Sequence, residues 1–330
     1  MNRYARQICL PQVGETGQSA LGRAHVLIVG AGGLGAPVLQ YLVGAGVRHL
    51  TLVDGDVVSL SNLHRQTLFR ETDIGRLKVE AAAGALRALN TECDITAHPV
   101  PLDPINAQAL VAQSTLVLDC ADSFAVSYIL SDACCAAGVA LISASALGVS
   151  GYVGGFCASA PSLRAVFPEL PDRAATCDSA GVMGPVVGMI GAAQAQMALG
   201  YLIGQTPSPL GQLISFDMQN FRTTSFRFDA APEPVTDLKF IAARDIAASD
   251  FVVELRSTFE APLAVAANAH RLSIAEFIER TPTLAAGQRA VFACTSGLRA
   301  WRAATQLRAR WDGDIALVAT GTTPPSTGLQ

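Results

Sequence analysis

Charge is scarce in this 330-residue sequence: Asp, Glu, Lys and Arg make up 15% of it, against 50% hydrophobic residues. That balance excludes an intrinsically disordered chain. Basic excess is also missing: the net charge of −4 provides no field for holding nucleic acid, and none is expected as a partner. No Arg-rich or apolar leader follows Met1, so Asn2-Arg3-Tyr4-Ala5-Arg6-Gln7 reads as the start of a mature cytoplasmic chain. The 8 cysteines contain no C-x-x-C spacing and are too sparse for a secreted disulfide scaffold; reduced thiols are expected. Cys134 and Cys135 read as core residues of a sheet-covering helix. Charged side chains are absent altogether from Ser179 to Phe216, and Met183–Gly204 is long enough to span a bilayer. Gln194, Gln196 and Gln205 lie in or beside that stretch and no cationic anchors flank it. It reads as a buried core or subunit-interface helix, not as a membrane span.

What is present first is alternation. Apolar runs at 25–30, 49–54, 115–119 and 140–143 and a short alternating strand at 94–99 are interleaved with helical patterns at 34–43, 78–90, 105–112 and 124–137. This spacing predicts an α/β fold with a Rossmann-like, doubly wound, mostly parallel sheet. After Ser150, β-rich pieces at 152–158, 211–217 and 223–228 predict a small antiparallel extension. The first domain is placed at 1–229 and a Pro-containing linker at 230–236. A small α/β domain follows at 237–320, with a frayed tail at 321–330. In that second domain, strands are expected at 251–254, 290–293 and 315–319. Helices are expected at 273–279, with Ser273 and Glu276 as a capping pair, and at 298–310.

Gly30-Ala31-Gly32-Gly33-Leu34-Gly35 follows a strand and opens a helix. Gly30, Gly32, Gly33 and Gly35 permit a tight turn and close approach of phosphate, to which the helix N-terminus is electrostatically suited. Asp54, nineteen residues after Gly35, sits where ribose hydroxyls are bound. The turn alone does not separate ATP from NAD. Asn62, Arg65 and Gln66 in the next loop, and Lys78 at the following helix start, suit a polyphosphate whose charge must be neutralised as it leaves. Asp122, past the strand ending at Asp119, is placed either to hold Mg²⁺ between phosphates or to cap the helix at Phe124.

The motifs GAGGLG, LVDGDVVSLSNLHRQ, DIGRLK and DCADSF resemble the ThiF/MoeB/HesA family of ubiquitin-activating-like adenylyltransferases over about Arg3–Phe228. The resemblance implies ATP-dependent adenylation of the C-terminal Gly-Gly carboxylate of a small ubiquitin-like sulfur carrier. In it, Asp54 binds ribose, Asn62, Arg65 and Lys78 hold phosphates, and Asp122 coordinates Mg²⁺. Arg6 matches an arginine supplied across a homodimer interface, a contribution worth on the order of 10³–10⁵ in rate for phosphoryl transfer. Cys177, in Thr176-Cys177-Asp178-Ser179, resembles the cysteine that links sulfur covalently to the carrier; the alternative is an inert small residue.

Family members usually carry two C-x-x-C pairs on zinc. Here Ser162 and Ala165 stand in the first pair's place and the segment near 227–234 has no cysteine, so no zinc is expected. Ser123 and Ser127 replace an Asn and an Arg common in the family. Further on, Cys294-Thr295-Ser296-Gly297-Leu298-Arg299 resembles the rhodanese active-site loop, C-x-x-G-x-R, with Glu254 where Asp is usual. In such a loop converging N–H groups and a helix N-terminus stabilise a thiolate or persulfide. The readings open here are an active and a degenerate rhodanese-like domain.

Together these imply an adenylyltransferase with sulfurtransferase activity, charged by a persulfide donor such as a cysteine desulfurase. Its carrier would be ThiS-like (thiamine), MoaD-like (molybdenum cofactor) or specialised. The rivals are a non-catalytic carrier-binding protein, motivated by Ser127 and the missing cysteines, and an NAD-dependent oxidoreductase, motivated by the glycine turn and Asp54 alone.

Overall fold

The computed structural model describes residues 2–170, 181–235, 238–279, 284–285 and 287–321. Strands β1 (His25–Val29), β2 (His49–Val53), β3 (Asp94–His98), β4 (Leu116–Asp119) and β5 (Ala140–Leu147) pair in parallel, in the order β3-β2-β1-β4-β5. Their continuous apolar runs follow from burial on both faces: every residue of β4 is buried. The antiparallel strands β6 (Ser150–Phe156), β7 (Gln212–Asp217) and β8 (Arg222–Arg227) continue the same sheet. The expected extension is therefore not a separate layer. β6 stops two residues earlier than its apolar pattern because Cys157 and Ala158 adopt positive φ, 62° and 52°.

Helices α1 (Ala5–Ile8), α2 (Gly14–Arg23), α3 (Gly35–Ala45), α4 (Lys78–Leu89), α5 (Pro104–Ala112), α6 (Phe124–Ala137), α7 (Leu163–Val166) and α8 (Gly184–Leu202) surround this sheet. α5 begins where Asp103 accepts from the Ile105 and Asn106 amides, both at 2.8 Å. α3, α4 and α8 build the core on one face, and α5 and α6 build it on the other. The uncharged stretch forms α8, which packs on α3, β5 and β6. Its buried Gln194 donates to the carbonyls of Asp119 (2.7 Å) and Ile142 (3.0 Å). Among the described residues no helix is long and apolar enough to cross a membrane.

A second sheet, wholly parallel, has the order β11-β10-β12-β13-β9. Its strands are β9 (Lys239–Phe240), β10 (Phe251–Glu254), β11 (His270–Arg271), β12 (Ala290–Cys294) and β13 (Ile315–Ala319). Helix α9 (Ile274–Glu279) starts at the reciprocal Ser273–Glu276 pair, and α10 (Leu298–Arg308) ends two residues short of its expected limit. α2, β9 and β11 have no counterpart in the sequence-based expectations.

The sheets are joined through α6. The Tyr128 and Trp301 rings lie 5.5 Å apart, and the Arg164 guanidinium covers them at 4.6 and 5.6 Å. Arg164 also pairs with both oxygens of Asp132 (2.7 and 2.8 Å) and donates to the Leu238 carbonyl at 3.2 Å. Because this buried cation serves three partners, Arg164→Ala lowers unfolding stability by about 2–3 kcal/mol. Urea denaturation checks this; a loss below about 0.5 kcal/mol would mean the joint does not depend on it.

Candidate active site

Strand order reverses between β1 and β4, and ligand crevices in open α/β sheets form at the carboxyl ends of strands at such a point. The glycine turn follows β1 and the segment 119–122 follows β4. They touch: a Cβ at Gly30, whose φ is +98°, would lie 2.6 Å from the Cys120 carbonyl oxygen. At Gly35 a Cβ would come within 2.1 Å of the Gly30 carbonyl oxygen. These two glycines are required by the packing of turn, helix and strand. Gly33 is crowded by Val187 and Arg65, whereas Gly32 has only the Gln66 amide nitrogen at 3.7 Å. Gly32 is thus the least obstructed of the four.

Asp54 directly follows β2 and accepts from the amides of Ala31 (2.7 Å) and Asp56 (2.8 Å). Burial raises its carboxyl above the ordinary value, with Lys78 and these amides opposing. Lys78, nearly buried at the start of α4, pairs with Asp56 at 2.8 Å; the Asp56 side chain is 70% exposed. Asn62 lies in a 3₁₀ turn, Leu60–Asn62, and its carbonyl accepts from the Arg65 and Gln66 amides. Arg65 donates to the Ser61 carbonyl at 3.3 Å and lies against His64 Nε2 at 3.0 Å. Gln66 is buried, and among the described residues its Oε1 has no partner. An unobstructed glycine with Lys78 and Arg65 in the adjoining segment fits a nucleotide carrying phosphates, whereas the buried Gln66 Oε1, an acceptor, calls for an N–H or O–H donor.

Asp122 is exposed at the turn between β4 and α6, and the residue in the N-cap position is Ser123. The capping alternative for Asp122 is therefore not realised. Its position at the crevice and its carboxylate suit Mg²⁺ held between phosphates.

The buried carboxylate next door was not singled out from sequence. Asp119 is fully buried, accepts from Ser143 Oγ at 2.7 Å and the Ala121 amide at 3.2 Å, and meets Ser127. Burial pushes it up to about 6, against those hydrogen bonds. Ser127 thus lies beside Asp119, its hydroxyl also donating to the Ser123 carbonyl at 3.3 Å. The one available signal was an acidic residue closing a wholly apolar strand.

Arg6 is not brought to this crevice within one chain. It is exposed on α1, and α1 is tied to the opposite end of α3, where Gln7 donates to the Ala45 carbonyl at 3.0 Å. The length of α3, about 16 Å, separates that end from the glycine turn. Cys177 lies outside the described residues.

Cys294 ends β12, fully buried, and accepts from the Ala300 amide at 3.4 Å. Arg256 and Arg299 both place positive charge near its sulfur. Arg299 is held by Glu260 (2.6 and 3.0 Å), and Arg256 by the buried Glu254 (2.6 and 2.8 Å). The loop itself rests on α6: a Cβ at Gly297 would lie 3.2 Å from that of Ala125, three residues after Asp122.

Where the family's zinc pairs would fall, Ser162 donates from its amide (2.7 Å) and hydroxyl (2.5 Å) to the Glu233 carboxylate. A serine and a carboxylate join the two segments there, and this donor set does not fit a tetrahedral thiolate zinc centre. Among the described residues no group of three or more His, Cys, Asp and Glu is arranged for a metal ion.

The ThiF family description matches residues 4–236. The chain is 44% identical over 225 residues to "Adenylyltransferase and sulfurtransferase MOCS3" of Bos taurus, covering 66% of this chain and 48% of that protein. It is 41% identical over 242 residues to "Adenylyltransferase and sulfurtransferase uba4" of Emericella nidulans, covering 68% and 50%. The chain thus spans about half the length of the curated relatives it matches. Among solved structures, E. coli MccB superposes with a TM-score of 0.62 at 21% identity, over 72% of this chain and 71% of that one. A further MccB structure, with ATP, gives 0.60 at 21%, over 72% and 74%. At that identity the likeness concerns the fold.

The raised Asp119 carboxyl has a pH consequence. The native state binds its proton more tightly than the unfolded state, so this group's contribution to stability is full below pH 3.8 and is lost as pH rises toward 6. The span corresponds to about 3 kcal/mol. In Asp119→Asn the fall in unfolding free energy between pH 4 and pH 6 flattens by that order in urea titrations. An unchanged slope would mean that Asp119 is not the group responsible.

Proposed function

The chain belongs to the ThiF family, and from that premise we propose that it uses ATP to adenylate the C-terminal Gly-Gly carboxylate of a small ubiquitin-like sulfur carrier protein. The observation that carries this reading is the glycine turn, open at Gly32, with Lys78 and Arg65 in the next segment. A hydride-transfer site has no use for those two cations. Asp54 binds the ribose hydroxyls. Asn62, Arg65, Gln66 and Lys78 hold the phosphates, Lys78 exchanging its exposed partner Asp56 for them. Asp122 would hold Mg²⁺, which neutralises phosphate charge when bound. The carrier carboxylate is its own nucleophile, so these residues need only orient it and stabilise the departing pyrophosphate.

Arg6 reaches a crevice only from a second subunit, and the homodimer belongs to this proposal. The exposed position of Arg6 at the far end of α3 supports it. In the second step, the outer sulfur of a persulfide on Cys294 attacks the acyl-adenylate and AMP leaves. The Cys177 thiol then attacks the Cys294 sulfur, the S–S bond of the acyl disulfide breaks to release the thiocarboxylate, and the resulting Cys177–Cys294 disulfide is reduced by an external dithiol. Two arginines lie near Cys294, and the contact of its loop with α6 supports delivery to this edge. The sulfur comes from a persulfide donor such as a cysteine desulfurase.

ATP–pyrophosphate exchange with ThiS-like and MoaD-like carriers tests the first step. Exchange depends on one carrier's terminal glycines, and Arg65→Ala or Asp122→Ala lowers it by about 10²–10³-fold. Undiminished exchange in either variant would overturn the site assignment. Cys294→Ala leaves exchange intact and stops thiocarboxylate formation, read by mass spectrometry of the carrier. If exchange is lost too in a folded variant, the division of labour is wrong.

A further inference from the structure

Two thiols away from the nucleotide edge form a pair. Cys135 is in the last turn of α6 and, contrary to its reading as a core residue, is exposed, whereas its neighbour Cys134 is buried. Cys157 is buried in the turn after β6, where its sulfur also contacts the Ser131 carbonyl at 3.6 Å. The Cys135 and Cys157 sulfurs are 3.2 Å apart. A disulfide needs about 2.05 Å, so an approach of about 1.2 Å joins them.

We propose that Cys135 and Cys157 are a thiol-oxidation site that a peroxide converts to an intrachain disulfide. The Cys135 thiolate attacks one peroxide oxygen and the O–O bond breaks, leaving a sulfenic acid and hydroxide, which is protonated to water. The Cys157 sulfur then attacks the sulfenic sulfur, the S–O bond breaks, and a second water leaves with the Cys157 proton. Two thiols lose two electrons and the peroxide becomes two waters. The pair is asymmetric in the required sense. The contact with Cys157 lowers the Cys135 thiol below its ordinary value against burial and the nearby acids Glu233 and Asp132. The same contact, with burial, raises Cys157. The exposed partner ionises and meets the oxidant, and the buried one resolves it. Cys134 is raised too, chiefly by burial with Cys135 and Asp119 adding to it, and stays inert.

The bridge has a mechanical meaning. Cys157 precedes Ser162 by five residues, and Ser162 is where the Glu233 carboxylate clamps this segment. Oxidation adds a covalent tie from the segment to α6.

The test treats the full-length reduced chain with hydrogen peroxide and counts thiols, followed by non-reducing peptide mapping. Two thiols are lost per chain, one cross-linked peptide joins Cys135 to Cys157, and dithiothreitol restores both. In Cys157→Ser the cross-link is gone and Cys135 is trapped as a dimedone adduct of its sulfenic acid. Cys134→Ser retains the cross-link. Overoxidised Cys135 beside unmodified Cys157 in the wild-type chain, a different cysteine pairing, or no thiol loss would each overturn the proposal.

Discussion

The parallel pairing of β1 with β2 on one side and β4 on the other is the constraint on which the nucleotide edge depends. All five residues of β1 are in register with β2, and four with β4. Parallel register sends the turns after all three strands out at the same edge. That is why the glycine turn, Asp54 and the Asp119–Asp122 segment meet although they are far apart in sequence. The glycine at 30 is a consequence of this geometry: with the segment after β4 this close, a side chain there would occupy the space of the Cys120 carbonyl, whereas Gly35 answers to the turn itself, which closes on the Gly30 carbonyl.

Buried charge is handled in two different ways. Asp119 has hydroxyl and amide donors around it but no cation, and burial answers with a raised proton affinity. Glu254 is equally inaccessible, yet the Arg256 guanidinium grips both of its oxygens, and the Arg256 and Val265 amides add two more donors, each at 3.0 Å. The first arrangement leaves a polar group near the crevice able to change protonation. The second fixes a cation near Cys294 whose charge does not change. A similar economy holds the loop after β6, where one carboxylate, Glu233, receives two donors from Ser162.

Local elements were legible because each carries its own pattern. β4 is an unbroken apolar run, α6 begins and ends as its sequence predicts, and the glycine turn announces the β1–α3 junction. The rest lies in contacts with no local signature. Gln194 meets Asp119 across 75 residues and Ser162 meets Glu233 across 71. Cys135 finds Cys157 across 22. Polarity in α8 was visible as an argument against a membrane span, but not as the donor to β4 and β5. Likewise Ser162 and Ala165 in place of a C-x-x-C pair are plain in the sequence, while the acid that meets Ser162, Glu233, is not. Cys135 was misplaced because one turn of an apolar helix contains both a core-facing and an outward-facing cysteine, which periodicity over so short a window does not separate.

α6 is the element these features share. Its 14 residues make a rod of about 21 Å. The first turn abuts the Gly297 loop just beyond Asp122, the middle seats Tyr128 against Trp301, and the final turn bears Cys135. One helix therefore carries the oxidisable pair at one end and the meeting of the two sheets' loops at the other, so that both ends are set by the same packing against Trp301.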